Sequence, residues 1–353
     1  MKLPAAWQQA LVAGWWQPHC TGWHRALLPL AWLYGLAVVM RKLVMRKPAL
    51  RKPVLLKHLS APGWRAPVPV VVVGNLVLGG AGKTPTVIAL VQALQAAGRK
   101  PGVVSRGYGR RGDEVCAVTP QAQSAQVGDE PLLIKRRTGA PVWVGRDRAA
   151  AVRALLQAQP QVDLIVADDG LQHLALQRDA QVIVFDERGA GNGQLLPAGP
   201  LREPLPAAVP ARTLVLYNAA AASTPLPGAL VQRQLAGAVA LAGWWAGAAP
   251  SIAALQALRG RPVLAAAGLA HPARFFNMLW ALGLQVTELP LPDHHDYTTL
   301  PWPHNTADVL VSEKDAVKIE PGRVGSTRVW VVPLDFQLPE GFVAQLLAHC
   351  TRP

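Results

Sequence analysis

The sequence predicts an α/β protein: a mainly parallel sheet with helices on both faces, a second and smaller α/β domain, and a membrane-associated helix near the N-terminus. Three observations predict it. Short apolar runs alternate with helix-period segments along most of the 353 residues. The first run, Val70 to Val73, passes through a glycine-rich turn directly into a helical pattern, which is the opening unit of a doubly wound sheet. Ahead of it stands an uncharged stretch, Ala26 to Met40, between tryptophans and a block of lysine and arginine, the pattern of a helix lying in a membrane interface.

Residues 1–58 form this membrane-associating segment. Trp15, Trp16 and Trp23 precede the apolar run, and Arg41, Lys42, Arg46, Lys47, Arg51 and Lys52 follow it, placed to meet anionic headgroups on the cytoplasmic side. The run is shorter than the roughly 20 residues of a spanning helix, and Pro29 and Gly35 weaken it. A monotopic or peripheral helix is therefore expected, with a single span or a buried core helix as alternatives. A signal peptide is disfavoured, because the apolar run starts late and no small-residue cleavage site follows.

After a Pro- and Gly-rich loop, Ser60 to Pro69, residues 59–180 read as the core domain. The strand Val70–Val73 is followed by a helix from Thr84, with Val87, Ile88, Leu90, Val91 and Leu94 at helical spacing and Gly98 closing it. Further strands are predicted at Pro101–Ser105, Pro141–Val144, Leu164–Ala167 and Val182–Phe185, with a helix at Arg148–Gln157. Residues 181–330 read as the second α/β domain, entered through a long Gly/Pro-rich loop, Gly189–Ala211. Its strands are expected at Thr213–Tyr217, Pro262–Ala267, Val309–Val311 and Val329–Val332, with a helix at Ala273–Leu282. Residues 331–353 form a C-terminal strand and helix able to return to the core. No internal repeat is evident.

The chain is 51% hydrophobic and 16% charged, a composition that packs a core rather than remaining disordered. Its formal net charge of +14 points to an anionic partner: nucleic acid, anionic lipid or a phosphorylated substrate. The aromatic residues gather at the apolar N-terminus instead of interleaving with a basic groove, which argues against nucleic acid. The three cysteines, Cys20, Cys116 and Cys350, are far apart and form no CxxC pair. They suggest neither a zinc site nor a disulfide framework, and a reducing compartment fits.

Between the first strand and helix lies Gly74-Asn-Leu-Val-Leu-Gly79-Gly80-Ala81-Gly82-Lys83-Thr84-Pro85. Strand, glycine loop, Lys-Thr and helix is the context of a phosphate-binding loop, so the sheet is read as P-loop NTPase-like. Successive backbone N–H groups make an anion nest, and the helix N-terminus adds its dipole. Lys83 can reach the β- and γ-phosphates and the Thr84 hydroxyl can ligate Mg²⁺. The usual first glycine, five positions before Gly82, is Val77 here, which makes the loop a variant with Gly79-Gly80 doing the turning.

Carboxylates follow at three places. An apolar strand ends in Asp168-Asp169. Adjacent acids are costly to place together unless a cation neutralises them, and an Asp at a neighbouring strand end holds the metal or its water in P-loop enzymes. Gly128-Asp129-Glu130-Pro131 is a turn-type sequence carrying acids. Asp293-His294-His295-Asp296 is a dense cluster that reads either as a metal site or as an acid–base pair.

Taken together these stretches resemble one family, the tetraacyldisaccharide 4'-kinases. In order they are GNLVLGGAGKTPT from Gly74, SRGYGR from Ser105, VGDEP from Val127, DDGLQH from Asp168, GPLREP from Gly199, DHH from Asp293 and SEKDAVK from Ser312. The resemblance implies transfer of the ATP γ-phosphate to the 4'-hydroxyl of an acylated glucosamine disaccharide 1-phosphate, giving lipid IVA, at the cytoplasmic face of a Gram-negative inner membrane. It implies that Gly79 to Pro85 hold ATP, with Lys83 also catalytic and Thr84 on Mg²⁺. Asp129 is implied as catalytic base and His294, in preference to His295, as its partner. Asp168, Asp169 and Glu203 are implied on the metal side, with the contact shared undecided between Asp168 and Asp169. Arg106 and Tyr108 are implied to meet the substrate. Asp129 and His294 are expected on different domains, brought together by closure over ATP. The rival reading is a P-loop GTPase or ATPase of the metallochaperone or targeting type, although no Asn-Lys-x-Asp guanine motif is present.

Overall fold

The computed structural model describes residues 5–46 and 63–351. Lys47, Arg51 and Lys52 of the basic block, and the first residues of the loop predicted from Ser60, lie outside the described residues. The chain divides into two compact units, residues 1–105, 147–231 and 338–353 in the first and residues 106–146 and 232–337 in the second.

The first unit is built on a parallel sheet with Val70–Gly74 at its centre. Leu164–Asp168 pairs with it on one side and Ala180–Asp186 on the other. Pro101–Ser105 lies beyond the former, and Thr213–Asn218 and then Ala229–Leu230 beyond the latter. All are parallel pairs, and the central strand is buried throughout, as the uninterrupted valine run requires of a strand covered on both faces. Helix Lys83–Ala96 packs on the central strands, and the C-terminal helix Phe342–Cys350 rests on it.

Ahead of the sheet run helix Ala5–Trp15, a 3-10 turn Gly22–Leu27 and helix Leu28–Arg46. The helical stretch from Gly22 to Val44 spans 23 residues, with mean hydropathy 1.6 over an 18-residue window, long and apolar enough to cross a membrane by length and composition. It is thus longer than the predicted Ala26–Met40 run. Pro29 does not interrupt it, because a first-turn residue has no intrahelical N–H bond to lose. Gly35 lets it approach a loop, since a Cβ there would stand 2.7 Å from the Leu195 side chain. Ala31 and Val44 are buried, whereas Trp32, Leu33 and Leu36 on the outer side are 60–70% exposed.

The second unit holds a sheet ordered Val239–Ala240, Arg328–Val332, Asp308–Ser312, Val263–Ala267, Val286–Pro290, parallel except at the Val239–Ala240 edge. Phe275 and Phe276 of helix Pro272–Ala281 fill its core beside Leu310 and Val332. Gln232–Leu235 pairs antiparallel with Leu334–Gln337, and Cys116–Ala117 with Val142–Val144.

The domain boundaries differ from those expected. Ala180–Asp186 and Thr213–Asn218 stay in the first unit because they extend its parallel sheet. Residues 106–146, predicted in the core domain, join the second unit, and the C-terminal helix returns to the first while strand Arg328–Val332 does not. Helix Arg148–Ala158 starts where the chain re-enters the first unit. Asp147 caps it, its Oδ1 accepting from the N–H groups of Ala149 at 2.9 Å and Ala150 at 3.2 Å. Asp147→Ala leaves both donors unpaired and is expected to lower unfolding free energy by about 1 kcal/mol, read as a shift of the urea midpoint at unchanged slope.

Candidate active site

The loop after Val70–Gly74 takes its shape from residues of several strand ends. Gly79 (φ 96°) and Gly82 (φ 91°) adopt left-handed backbone, whereas Gly80, predicted to share the turning, does not. Gly82 is fixed by crowding as well, because a Cβ there would lie 2.3 Å from Asn218 Nδ2, whose amide reaches Ala81 O at 3.4 Å. Val77, at the position of the missing glycine, is buried and bridges antiparallel to Leu201. Leu78 N–H donates to Pro200 O at 2.9 Å and Arg202 N–H to Leu76 O at 2.7 Å. The GPLREP stretch therefore props the loop from outside, where an ordinary loop would coil on itself. Asn75, wholly buried, closes the inside: its Nδ2 donates to Gly79 O at 3.1 Å and its Oδ1 accepts from Lys83 at 3.3 Å. Arg188 spans Asp186 and donates to Gly80 O at 3.2 Å, with its guanidinium 3.9 Å over the Trp16 ring.

Lys83 opens the helix and Thr84 and Pro85 follow in its first turn, where backbone N–H groups lack helical partners. The two acids of Asp168-Asp169 part company. Asp168 closes its strand, is 1% exposed and accepts from Ser105 Oγ at 2.9 Å. Asp169 has φ 47° and carries its carboxylate 3.7 Å from Lys83 Nζ and 3.4 Å from Arg202 Nη1. The left-handed turn is what lets two neighbouring acids point to different partners. Glu203, expected on the metal side, is paired instead with Lys42 of the N-terminal helix. Tyr34 of that helix donates to Arg202 O at 3.0 Å and Arg41 to Gln172 O at 3.1 Å. Among the described residues no group of three or more His, Cys, Asp or Glu gathers as a metal cluster.

In the second unit Asp129 and His294 stand together. GDEP is the start of helix Asp129–Thr138 and not a free turn. Gly128, at φ 93°, could not carry a side chain, since a Cβ would meet Gly107 Cα and Tyr108 O at 3.1 Å. His294 takes φ 60°, rare for a non-glycine residue, and this turn aims its Nδ1 at Asp129 Oδ2, 3.0 Å away. The two residues belong to one unit and meet without any closure, contrary to the expectation that they lie on different domains. His295 points elsewhere, edge-on to Tyr297. Lys314 Nζ, which can only donate, lies 3.5 Å from His294 Nε2. That puts the ring proton on Nδ1, where it donates to Asp129.

Lys314 also pairs with Asp293 at 3.1 Å and Glu130 at 3.5 Å, and Lys318 lies 3.7 Å from Asp129 Oδ2. Burial alone would raise the Asp129 carboxyl. The hydrogen bond from His294 and the charges of Lys318 and Lys314 outweigh it and hold the group below the usual carboxylate range. Tyr108 is exposed with its ring 5.2 Å from that of His294. Arg106 is exposed too, while Arg110 is spent on Cys116 and Glu114 O. Asn75, Arg188, Arg202, Asn218, Lys314 and Lys318 were not singled out from sequence. Asn75, Arg202 and the two lysines sit inside matched motifs, which was their one available signal.

His173, in the DDGLQH stretch, has its pKa pushed down to about 4, by burial first and then by Arg148. The unfolded chain takes this proton near pH 6.5 and the folded one resists until about pH 4. Stability therefore falls as pH drops through that window and is fully present above it. His173→Asn should narrow the difference between urea unfolding free energies at pH 7 and pH 5 by roughly 1 kcal/mol, discounted for the ring's partial exposure.

A family model described as tetraacyldisaccharide-1-P 4'-kinase, LpxK, matches residues 23–351. The tetraacyldisaccharide 4'-kinase of Leptothrix cholodnii is 53% identical over 354 residues, covering 98% of this chain and 95% of that protein. The tetraacyldisaccharide 4'-kinase of Methylibium petroleiphilum is 56% identical over 328 residues, covering 91% and 88%. A crystal structure of LpxK from Aquifex aeolicus in complex with ATP has the same fold, with TM-score 0.72 at 24% identity, covering 94% of this chain and 100% of that one.

Proposed function

The chain belongs to the tetraacyldisaccharide 4'-kinase family, and from that premise we propose that it transfers the γ-phosphate of ATP to the 4'-hydroxyl of an acylated glucosamine disaccharide 1-phosphate, making lipid IVA for lipid A. The observation that carries the assignment of roles is the 3.0 Å contact between Asp129 and His294, two residues of separate motifs 165 positions apart.

The first unit handles nucleotide. Backbone N–H groups of Gly79 to Thr84 and the Lys83 ammonium take the β- and γ-phosphates. Asn75 and Asp169 keep the lysine aimed. Mg²⁺ suits this donor set. Mg²⁺ prefers oxygen ligands and usually takes only one or two carboxylates beside substrate phosphates, which agrees with the absence of a closed cluster among the described residues. Thr84, Asp168 and Asp169 would hold it, and when bound it neutralises charge developing on the phosphate oxygens. The pairing of Glu203 with Lys42 favours a role in seating the membrane helix over direct ligation.

The second unit handles the acceptor. Asp129 takes the proton of the 4'-hydroxyl as that oxygen bonds to the γ-phosphorus, and the bond from phosphorus to the β-bridging oxygen breaks to release ADP. His294, donating from Nδ1, leaves the other carboxylate oxygen available for this proton. Tyr108 and Arg106 are suited to the sugar and its phosphate. The exposed apolar side of helix Leu28–Arg46 and the adjoining basic residues support a monotopic or peripheral seat on the cytoplasmic face of the inner membrane, where a lipid substrate resides.

Incubation with labelled ATP, Mg²⁺ and disaccharide 1-phosphate in detergent micelles should label the lipid. Lys83→Ala and Asp129→Asn should each lower kcat by about 10²-fold or more. GTP preference with no lipid labelling would favour the GTPase alternative, and near-normal turnover by Asp129→Asn would remove the base assignment.

A further inference from the structure

The SEKDAVK stretch lies outside both the phosphate loop and the GDEP motif, yet it brings two lysines near the Asp129 carboxylate. Lys314 shares its charge among Glu130, Asp293 and the His294 ring. Lys318 is different. Its side chain is only 3% exposed, and its ammonium makes no hydrogen bond among the described residues. It faces two carboxylates through space, Asp315 Oδ1 at 3.5 Å and Asp129 Oδ2 at 3.7 Å, and lies 5.3 Å over the Tyr297 ring. Asp315 also accepts from Ser312 Oγ at 2.6 Å and Gly268 N–H at 3.0 Å. A buried ammonium is expensive to keep charged without carboxylate partners. Asp315 and Asp129 share that task, and Asp129 is the one beside His294.

We propose that Lys318 is a positioning residue for phosphoryl transfer: a fixed, buried cation that holds the Asp129 carboxylate ionised and oriented beside His294. The division of labour follows from chemistry. The His294 ring orients Asp129 by donating a hydrogen bond to Oδ2. Lys318 supplies the charge without consuming a carboxylate lone pair, which stays free for the acceptor hydroxyl. The ionisable groups facing Asp129 are Glu130 on its own helix, Asp293 and His294 on the loop after Val286–Pro290, and Lys314, Asp315 and Lys318 after Asp308–Ser312. Of the cations, Lys318 is the most enclosed and so the least screened.

This inference rests on Asp129 being the base, and the test separates the two. The pH profile of kcat/KM for the disaccharide is measured on the full chain for wild type, Lys318→Gln, Lys318→Arg and Asp129→Asn. Losing an opposite charge at this distance raises a carboxyl by about one unit or more. The acid limb of Lys318→Gln should therefore move up by at least about one pH unit, with KM for ATP unchanged, while Lys318→Arg keeps the limb in place. An unmoved limb in Lys318→Gln beside an inactive Asp129→Asn overturns the role of Lys318 alone. An active Asp129→Asn overturns the base and Lys318 together. Should Lys318→Gln fail to fold, Lys318→Arg decides, since a limb displaced upward with the positive charge retained is incompatible with the proposal.

Discussion

A parallel strand presents its carboxyl end to the loop that leaves it, and in the first unit that geometry places almost every polar group of interest. Val70–Gly74 runs into Asn75 and the glycine loop, Pro101–Ser105 ends in Ser105, Leu164–Asp168 in Asp168, Ala180–Asp186 in Asp186 and Thr213–Asn218 in Asn218. All five of these polar side chains are under 5% exposed. Buried polar groups persist only when partnered, and here they partner one another or the glycine loop: Ser105 with Asp168, Asp186 with Arg188, Asn75 and Asn218 with loop carbonyls. The central strand has its neighbours added on opposite sides by successive crossovers, so the loop emerges where the winding reverses, the place at which open α/β sheets hold ligands.

The second unit repeats the rule with different chemistry. Strand Val286–Pro290 leads into Asp293 and His294, strand Val263–Ala267 into Gly268, and strand Asp308–Ser312 into Lys314, Asp315 and Lys318. One sheet end collects backbone donors and a lysine, suited to an anion. The other collects a carboxylate that the surrounding positive charge holds ionised.

Much of this was legible in the sequence because it is local. The strands of the first sheet are continuous apolar runs, and the phosphate loop is recognisable from residues adjacent in the chain. What escaped was non-local or disguised. Residues 106–146 group with the second unit although their strands Cys116–Ala117 and Val142–Val144 continue the first sheet at its edge, a division that no local pattern in Arg106 to Arg146 announces. GDEP reads as a turn, since Gly, Asp and Pro dominate turns, but the same residues begin a helix when glycine supplies φ above zero and the acids fall in the first turn. Val77 looked like a defect in the loop and is instead a pairing position against Leu201, visible only once GPLREP is known to lie alongside. His294 is preferred to His295 on the DHH resemblance alone; its physical ground, a residue at φ 60°, is not revealed by a pattern of two adjacent histidines.

The inward side of helix Leu28–Arg46 does not merely pack. Tyr34 binds Arg202 O, Lys42 pairs with Glu203, and Arg41 binds Gln172 O. Arg202 in turn holds Asp169, and its own N–H binds Leu76 O on the way into the glycine loop. The helix is therefore joined through residues 202–203 to both the carboxylate that faces Lys83 and the strand that enters the loop. An apolar helix needed only for anchoring would gain nothing from polar contacts at those positions, because burying Ala31, Val44 and Gly35 against the domain already fixes it. The polar contacts cost desolvation, and two of the three fall at the Arg202–Glu203 stretch that props the phosphate loop. This arrangement makes helix seating and loop geometry a single packing problem, with Arg202 and Glu203 as its shared pieces.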